Sequence, residues 1–261
     1  MTVCAAGLTA AIKDVILSGV NYQAQTGYYD CNKLFNGKDD NLCWAFAASN
    51  QLQRWQNKQY SSIIIEKSIP NGYSGSQSSY SLDITYAFVS AWPNQGGAEI
   101  NGFEWWLRGG SSFPTGGAYW ADYVSAETFI GEELSLSAVS KTFFMEKMDY
   151  FVSKDYELTL GVYKGTNAHA LTLWGYSADS DSNSYWVYLS DSDDGKVELL
   201  KYGIYYDDAN ARWAFDDTSS YDGWYIGDMT YLTLGTVPEP AAFAAIFGAC
   251  ALFFAARRRR E

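Results

Sequence analysis

His169-Ala170-Leu171-Thr172-Leu173-Trp174-Gly175-Tyr176 and Tyr185-Trp186-Val187-Tyr188-Leu189-Ser190 are two β-rich runs on either side of a polar stretch, Asp179-Ser180-Asp181-Ser182-Asn183-Ser184. Such runs, bounded by Asp, Ser and Asn, read as strand, turn, strand. Working outward, residues 156–162 alternate ahead of this hairpin, and residues 197–206 and 224–234 follow it as further strands. Before residue 155 the chain reads as mainly helical. Residues 131–154 carry an amphipathic helical pattern, residues 80–91 and 103–107 shorter ones. The helix-forming stretch from Ala45 to Trp55 places Trp44, Ala48, Leu52 and Trp55 on one face. The expectation is an α+β chain in which an N-terminal helix packs on a C-terminal antiparallel sheet.

The hairpin also gathers chemistry. His169 is the sole histidine of the 261 residues. It opens the first strand, and Asp191 ends the second, so antiparallel pairing brings the two side by side. Asp191 can then hold one imidazole nitrogen and leave the other for a nucleophile. Asp193, two residues on, points the same way if the strand continues. The nucleophile candidate is Cys43, in Lys33-Leu34-Phe35-Asn36-Gly37-Lys38-Asp39-Asp40-Asn41-Leu42-Cys43-Trp44-Ala45. Asn36-Gly37 and Asp39-Asp40-Asn41 are turn and N-cap residue types, which places Cys43 in the first turn of the helix. Partial positive charge at a helix N-terminus favours thiolate over thiol. A cysteine, a histidine and an aspartate in that chain order form one of the arrangements that activate a thiolate.

Net charge is −12, and removing the four Arg and two Glu from Val237 onward leaves a body near −14. A body this acidic repels phosphate backbones, and no basic stripe offsets it, so nucleic acid is not an expected partner. The four cysteines, Cys4, Cys31, Cys43 and Cys250, show no C-x-x-C spacing, and too few Cys and His are in range for a zinc site. Both a Cys4–Cys31 disulfide and a half-buried thiol at Cys31 are open. Asp179, Asp181 and Asn183 match the first three ligand positions of an EF-hand loop. Ser184 and Ser190 stand where that loop needs Gly and Glu, so a solvated turn is the better reading. No cofactor is called for.

The C-terminus is the clearest boundary. Val237-Pro238-Glu239-Pro240 precedes an apolar run, residues 241–256, and then four arginines. Sixteen helical residues span about 24 Å, a little short of a hydrocarbon core of about 30 Å, a gap that snorkelling arginines close. The arginines would stay cytoplasmic and put the body on the outer side. This tail resembles a PEP-CTERM sorting signal, which implies export, a transient membrane anchor, an exosortase-type processing enzyme as partner, and a final place at the cell surface or outside. At the other end, residues 1–12 are apolar and rich in small residues, with no basic residue before Lys13. They read as a signal-peptide remnant or a non-signal leader. A short amphipathic helix through Leu8, Ala11, Ile12, Val15 and Ile16 competes. The expected organisation is a leader over residues 1–26, a catalytic domain over 27–235 and the sorting segment over 236–261.

The segment from Tyr29 to Ala45, with Lys33, Phe35 to Asp40, Leu42 and Cys43, resembles the surroundings of the active-site cysteine in the IdeS/Mac family. These are secreted cysteine proteases that cut immunoglobulin G. His169 to Gly175 resembles that family's histidine segment, and Ser190-Asp191-Ser192-Asp193 its aspartate motif. The resemblance implies a papain-like fold with Cys43 as nucleophile, His169 as base and Asp191 as orienting acid. It also implies Asp193 as assisting carboxylate and Lys33 as part of the oxyanion hole. It is dense in about 20 residues near Cys43 and about 30 around His169. Residues 60–155 show little of it, and Trp44, which stands in place of a smaller residue, is expected to narrow the cleft. The function expected is an exported cysteine endopeptidase acting on protein substrates, immunoglobulin-like ones among them. The alternatives are a transglutaminase-like acyl transferase and a non-catalytic surface-binding protein.

Overall fold

The computed structural model of the chain describes residues 13–59, 61–72, 82–179 and 181–237. In chain order the elements are β1 (Lys13–Ile16), α1 (Cys43–Asn57), α2 (Ser61–Glu66), α3 (Asp83–Ala91), α4 (Glu99–Arg108), β2 (Gly131–Ser135) and α5 (Lys141–Ser153). Then follow β3 (Glu157–Lys164), β4 (Asn167–Asp179), β5 (Ser184–Ser190), β6 (Leu200–Asp207), β7 (Arg212–Phe215) and β8 (Tyr225–Leu232).

The papain-like α+β arrangement, a helix laid on an open sheet, is corrected by the strand pairing. Strands β3, β4, β5, β6, β7 and β8 pair antiparallel in turn, and β8 returns to β3, so six strands close a barrel. The fold is dominated by that barrel, with five helices beside it among the described residues. Two bulges go with the closure. One lies between Leu173 and Gly175 in the β4–β5 ladder, the other after Gly161 in the β3–β8 ladder. A bulge bends its strand and raises the local twist, and a coiled sheet can meet its own edge. Closure also removes the exposed edges that an open sheet would leave. Hydrophobic alternation locates strands along the chain and is silent about which edges meet, so the sequence carried no sign of the ring.

Two further strands join outside the ring. β1 pairs with the far end of β4, Val15 opposite Tyr176, where the helical reading of residues 8–16 had been the competitor. Gly175 is required there, because a Cβ would meet Val15 O at 2.5 Å. Thus the segment set apart as a leader supplies a strand to the sheet, while residues 1–12 lie outside the described part. β2 pairs with β8 and replaces the first turns of the helix expected over 131–154. The helix begins only at Lys141, where Ser140 Oγ accepts the N–H of Phe143 at 3.1 Å. Among the described residues no helix is long and apolar enough to cross a membrane. Residues 238–261, and with them the sorting segment and its apolar run, lie outside the described part, as do Cys4 and Cys250.

Two cores result. One joins α1, α3 and α4 through Trp44, Phe88, Trp105, Trp106 and Trp120, and the other fills the barrel and the face of α5. Helix α1 lies between them and is buried along nearly its whole length. Its apolar face, Trp44, Ala48, Leu52 and Trp55, is buried, and so are the polar residues between. Gln51 Nε2 donates to Leu158 O at 2.7 Å and Leu173 O at 2.9 Å, and Asn50 Nδ2 to Thr172 Oγ1 at 3.0 Å. Arg54 Nη1 meets the buried Glu157 carboxylate at 2.6 Å. These bonds satisfy groups that would be costly to bury alone, and they fix α1 against β3 and β4.

Candidate active site

The start of α1 is open. Leu42 is the N-cap residue and no side chain caps the first turn, although Asp39, Asp40 and Asn41 precede it. Those side chains are used elsewhere. Asp39 folds the loop onto itself by accepting the N–H groups of Leu34 and Asn36. Asp40 Oδ1 accepts Gly37 N–H at 3.2 Å, and Asn41 N–H donates to Asn94 Oδ1 at 2.7 Å. Cys43, the first helical residue, is half-buried and keeps an uncapped helix terminus behind its thiol.

The segment carrying Lys33 and the loop carrying Asp191 and Asp193 are knitted together. Lys33 N–H donates to Ser192 O at 2.8 Å, and Gly195 N–H to Asn32 Oδ1 at 2.9 Å. Register brings Thr172 opposite Ser190, so His169 on β4 and Asp191 just past β5 face each other at the barrel mouth. His169 Nε2 lies 2.8 Å from Asp191 Oδ1. Asp191 Oδ1 also accepts the N–H of Asp193 at 3.0 Å, and Oδ2 accepts the hydroxyl of Tyr221 at 2.6 Å. The Tyr221 ring stacks on the imidazole at 5.9 Å. With Nε2 engaged, Nδ1 is the nitrogen left for the hydrogen bond that His169 shares with the Cys43 thiol. Asp193 Oδ2 stands 3.7 Å from Nδ1, and its Oδ1 is ion-paired with the buried Lys33 ammonium at 2.7 Å. Lys33 Nζ also donates to Asp40 O at 2.9 Å, which leaves one of its three hydrogens unassigned.

All five residues singled out in the sequence therefore meet in one place. Together with Gly96, Gly97, Glu99, Gly161 and Tyr163 they line a cleft of about 210 Å³, apart from Asp191, which stands behind His169. Trp44 also lines this cleft while packing into the core, its indole N–H donating to Gln95 O at 3.0 Å. Gly97 is needed beneath it, since a Cβ there would meet the indole at 2.6 Å.

The electrostatics favour a charged thiol–imidazole pair. Burial opposes charge on Cys43, but the hydrogen bond and charge of His169, with Lys33 and the Ala170 N–H, hold the thiol below its ordinary value of 9.0. Burial likewise opposes charge on His169, but Asp191 and Cys43 push it up to about 10. Asp191 sits below its ordinary value: its burial is outweighed by His169, Tyr221 and the Asp193 N–H. Burial and Asp191 raise the Tyr221 hydroxyl, which stays a donor.

Tyr221 was missed in the sequence reading. It is 30 residues from Asp191 in a polar turn, and only the path of β6 and β7 carries it back. Glu99 was missed too. It sits buried in the cleft wall, and burial, with Asp228 next, pushes its carboxyl up to about 8. Beneath the loop, Asp30 is pushed up to about 9 by burial first and then by the charge of Asp194. Among the described residues two groups have the spacing to hold a cation. In His169, Asp191 and Asp193 the donors are already spent on each other, on Tyr221 and on Lys33. In Glu99, Glu133 and Asp228 they are not all spent. The acidic turn at Asp179 is closed locally, Asp179 accepting the N–H groups of Asp181 and Ser182.

No family model matches the chain, and no curated protein matches it.

Proposed function

We propose that the protein is a cysteine endopeptidase. The observation that carries the reading is the chain of contacts from the Cys43 thiol to His169 and on to Asp191, at the open start of a helix and in the wall of a cleft. The resemblance of the Cys43 and His169 segments to the IdeS/Mac family supports the same reading.

The thiolate of Cys43 attacks the carbonyl carbon of a peptide bond, and the carbonyl oxygen takes up the electron pair. The remaining hydrogen of Lys33 Nζ and the N–H of Cys43 are the donors for that oxyanion. His169 gives its Nδ1 proton to the leaving nitrogen, the C–N bond breaks, and the acyl group stays on sulfur as a thioester. Water then attacks that carbon, giving one proton to His169, and the C–S bond breaks to release the thiolate and the new carboxylic acid, which loses its remaining proton to solvent. Asp191 keeps Nε2–H oriented and compensates the imidazolium throughout, and Asp193 holds Lys33 in place. The proposal includes export: the Pro-Glu-Pro triplet, apolar run and arginines of residues 238–261 would hold the body outside the inner membrane until processing, where extracellular proteins are its substrates.

The test is incubation of the purified chain with a proteome-derived peptide library, read by mass spectrometry, alongside Cys43→Ala and His169→Ala. New C-terminal carboxylates that vanish in both variants are expected. No cleavage by the wild type, or more than trace cleavage by His169→Ala, overturns the reading. Products that appear only with an added amine, as amides, replace it with acyl transfer.

A further inference from the structure

Three carboxylates from distant parts of the chain converge beside the cleft. Glu99 begins α4, Glu133 lies in β2 and Asp228 in β8, and each offers an oxygen within 4.8 Å of the other two. The register makes this specific. Glu133 is opposite Thr230 and Ser135 opposite Asp228, so both carboxylates stand on one face of the β2–β8 ladder, and the start of α4 delivers Glu99 to that face. Glu99 is only 4% exposed and Asp228 7%. The Tyr163 hydroxyl donates to Asp228 Oδ2 at 2.5 Å. Glu99 Oε1, by contrast, is buried with no hydrogen-bond partner. Among the described residues no lysine, arginine or histidine is ion-paired with any of the three. Burying carboxylates this close together is costly unless a proton or a metal ion neutralises part of their charge.

We propose that Glu99, Glu133 and Asp228 form a divalent-cation site that takes calcium. The donor set is all oxygen, which suits a hard ion, and it holds no His or Cys to favour zinc. Calcium takes six to eight oxygens with loose geometry. A concavity lined by Glu133, Ser135, Ser137 and Asp228 adjoins the cluster and admits the waters needed to complete the shell. The ion would pin the start of α4 to β2 and β8. Because Glu99 also lines the cleft that holds Cys43, it would stiffen that wall. The site stands on its own geometry, so its failure and the failure of the peptidase reading are separate results.

The test uses the full chain stripped with EDTA, and the Cys43→Ala protein in parallel. Thermal unfolding is followed against CaCl2 or MgCl2, and Tb³⁺ luminescence is titrated and then displaced with Ca²⁺. The expected result is a rise of about 3 °C or more in the unfolding midpoint at 10 mM Ca²⁺, smaller with Mg²⁺. Both signals should be lost in Glu99→Gln and in Glu133→Gln, the second being an exposed position whose change leaves the fold in place. No Ca²⁺ shift in the wild type overturns the proposal. So does a shift of unchanged size in both variants, which puts the ion elsewhere. If cations do nothing and Glu99→Gln selectively slows cleavage of peptides carrying Lys or Arg, the carboxylates receive a basic side chain of the substrate, and the metal site is refuted.

Discussion

Replacing Asp191 by Asn tests the centre of the proposed mechanism, because the structure sets both what survives and what is lost. The carboxylate accepts three bonds, from His169 Nε2, Tyr221 Oη and the Asp193 N–H. An amide in its place can keep its oxygen toward His169 and the Asp193 N–H while its NH2 donates to the Tyr221 hydroxyl, which can rotate to accept. The fold should therefore persist. What disappears is the negative charge beside the imidazolium. At a charge separation of about 4 Å and an effective dielectric near 20, that interaction is worth about 4 kcal/mol. At about 1.4 kcal/mol per tenfold, the thiolate–imidazolium pair becomes roughly a thousandfold less populated. Asp193 does not replace Asp191, since its Oδ1 is committed to Lys33 and its Oδ2 is 3.7 Å from the other ring nitrogen. The expected outcome is a fall in kcat/KM of about 10²–10³. The alkaline limb of kcat/KM, set by the His169 proton, should move down by about two to three pH units. Circular dichroism should show the wild-type fold. A folded Asp191→Asn protein with kcat/KM within about tenfold of wild type and an unmoved alkaline limb would falsify the assignment.

Four further outcomes follow from the same geometry. The profile of kcat/KM against pH should rise below pH 9.0, as Cys43 ionises, and fall near pH 10 as His169 loses its proton; an alkaline limb at the ordinary imidazole value would mean that Asp191 does not act on His169. Lys33→Ala should lower kcat more than it changes KM, because an oxyanion contact strengthens only in the transition state; steady-state kinetics showing raised KM at unchanged kcat would make Lys33 a substrate-binding group. Arg54→Met should cost about 3–5 kcal/mol in urea denaturation, since it strips the guanidinium from a buried Glu157 and leaves only Lys58 at 2.7 Å; a loss under about 1 kcal/mol contradicts that account. Asp30 is raised from 3.8 to about 9 in the fold. The native state therefore binds more protons than the unfolded chain between those values, and Asp30 makes stability fall as pH rises through that window. Asp30→Asn should remove this fall and raise the unfolding midpoint relative to wild type at pH 8, and a lower midpoint there refutes it.

From the sequence alone, the hairpin of β4 and β5 and the helix following Cys43 could be placed, because hydrophobic period and turn chemistry are local properties. His169 and Asp191 could be paired because two strands and a turn of known length bring their ends together. Cys43 could be singled out because a thiol at a helix start has an electrostatic reason to ionise. β2 was hidden because Glu132, Glu133, Leu134 and Leu136 satisfy a helical and a strand pattern about equally, and pairing with β8 decides between them. β1 is only four residues long, too short for any period, and exists because β4 offers it an edge. Closure of the barrel, the stacking of Tyr221 on His169, and the meeting of Glu99, Glu133 and Asp228 depend on which strand edges join. Those choices are settled by packing between residues far apart in the chain, and local pattern carries no trace of them. The amino-acid order determined which groups could do chemistry, and the closed sheet decided which of them touch.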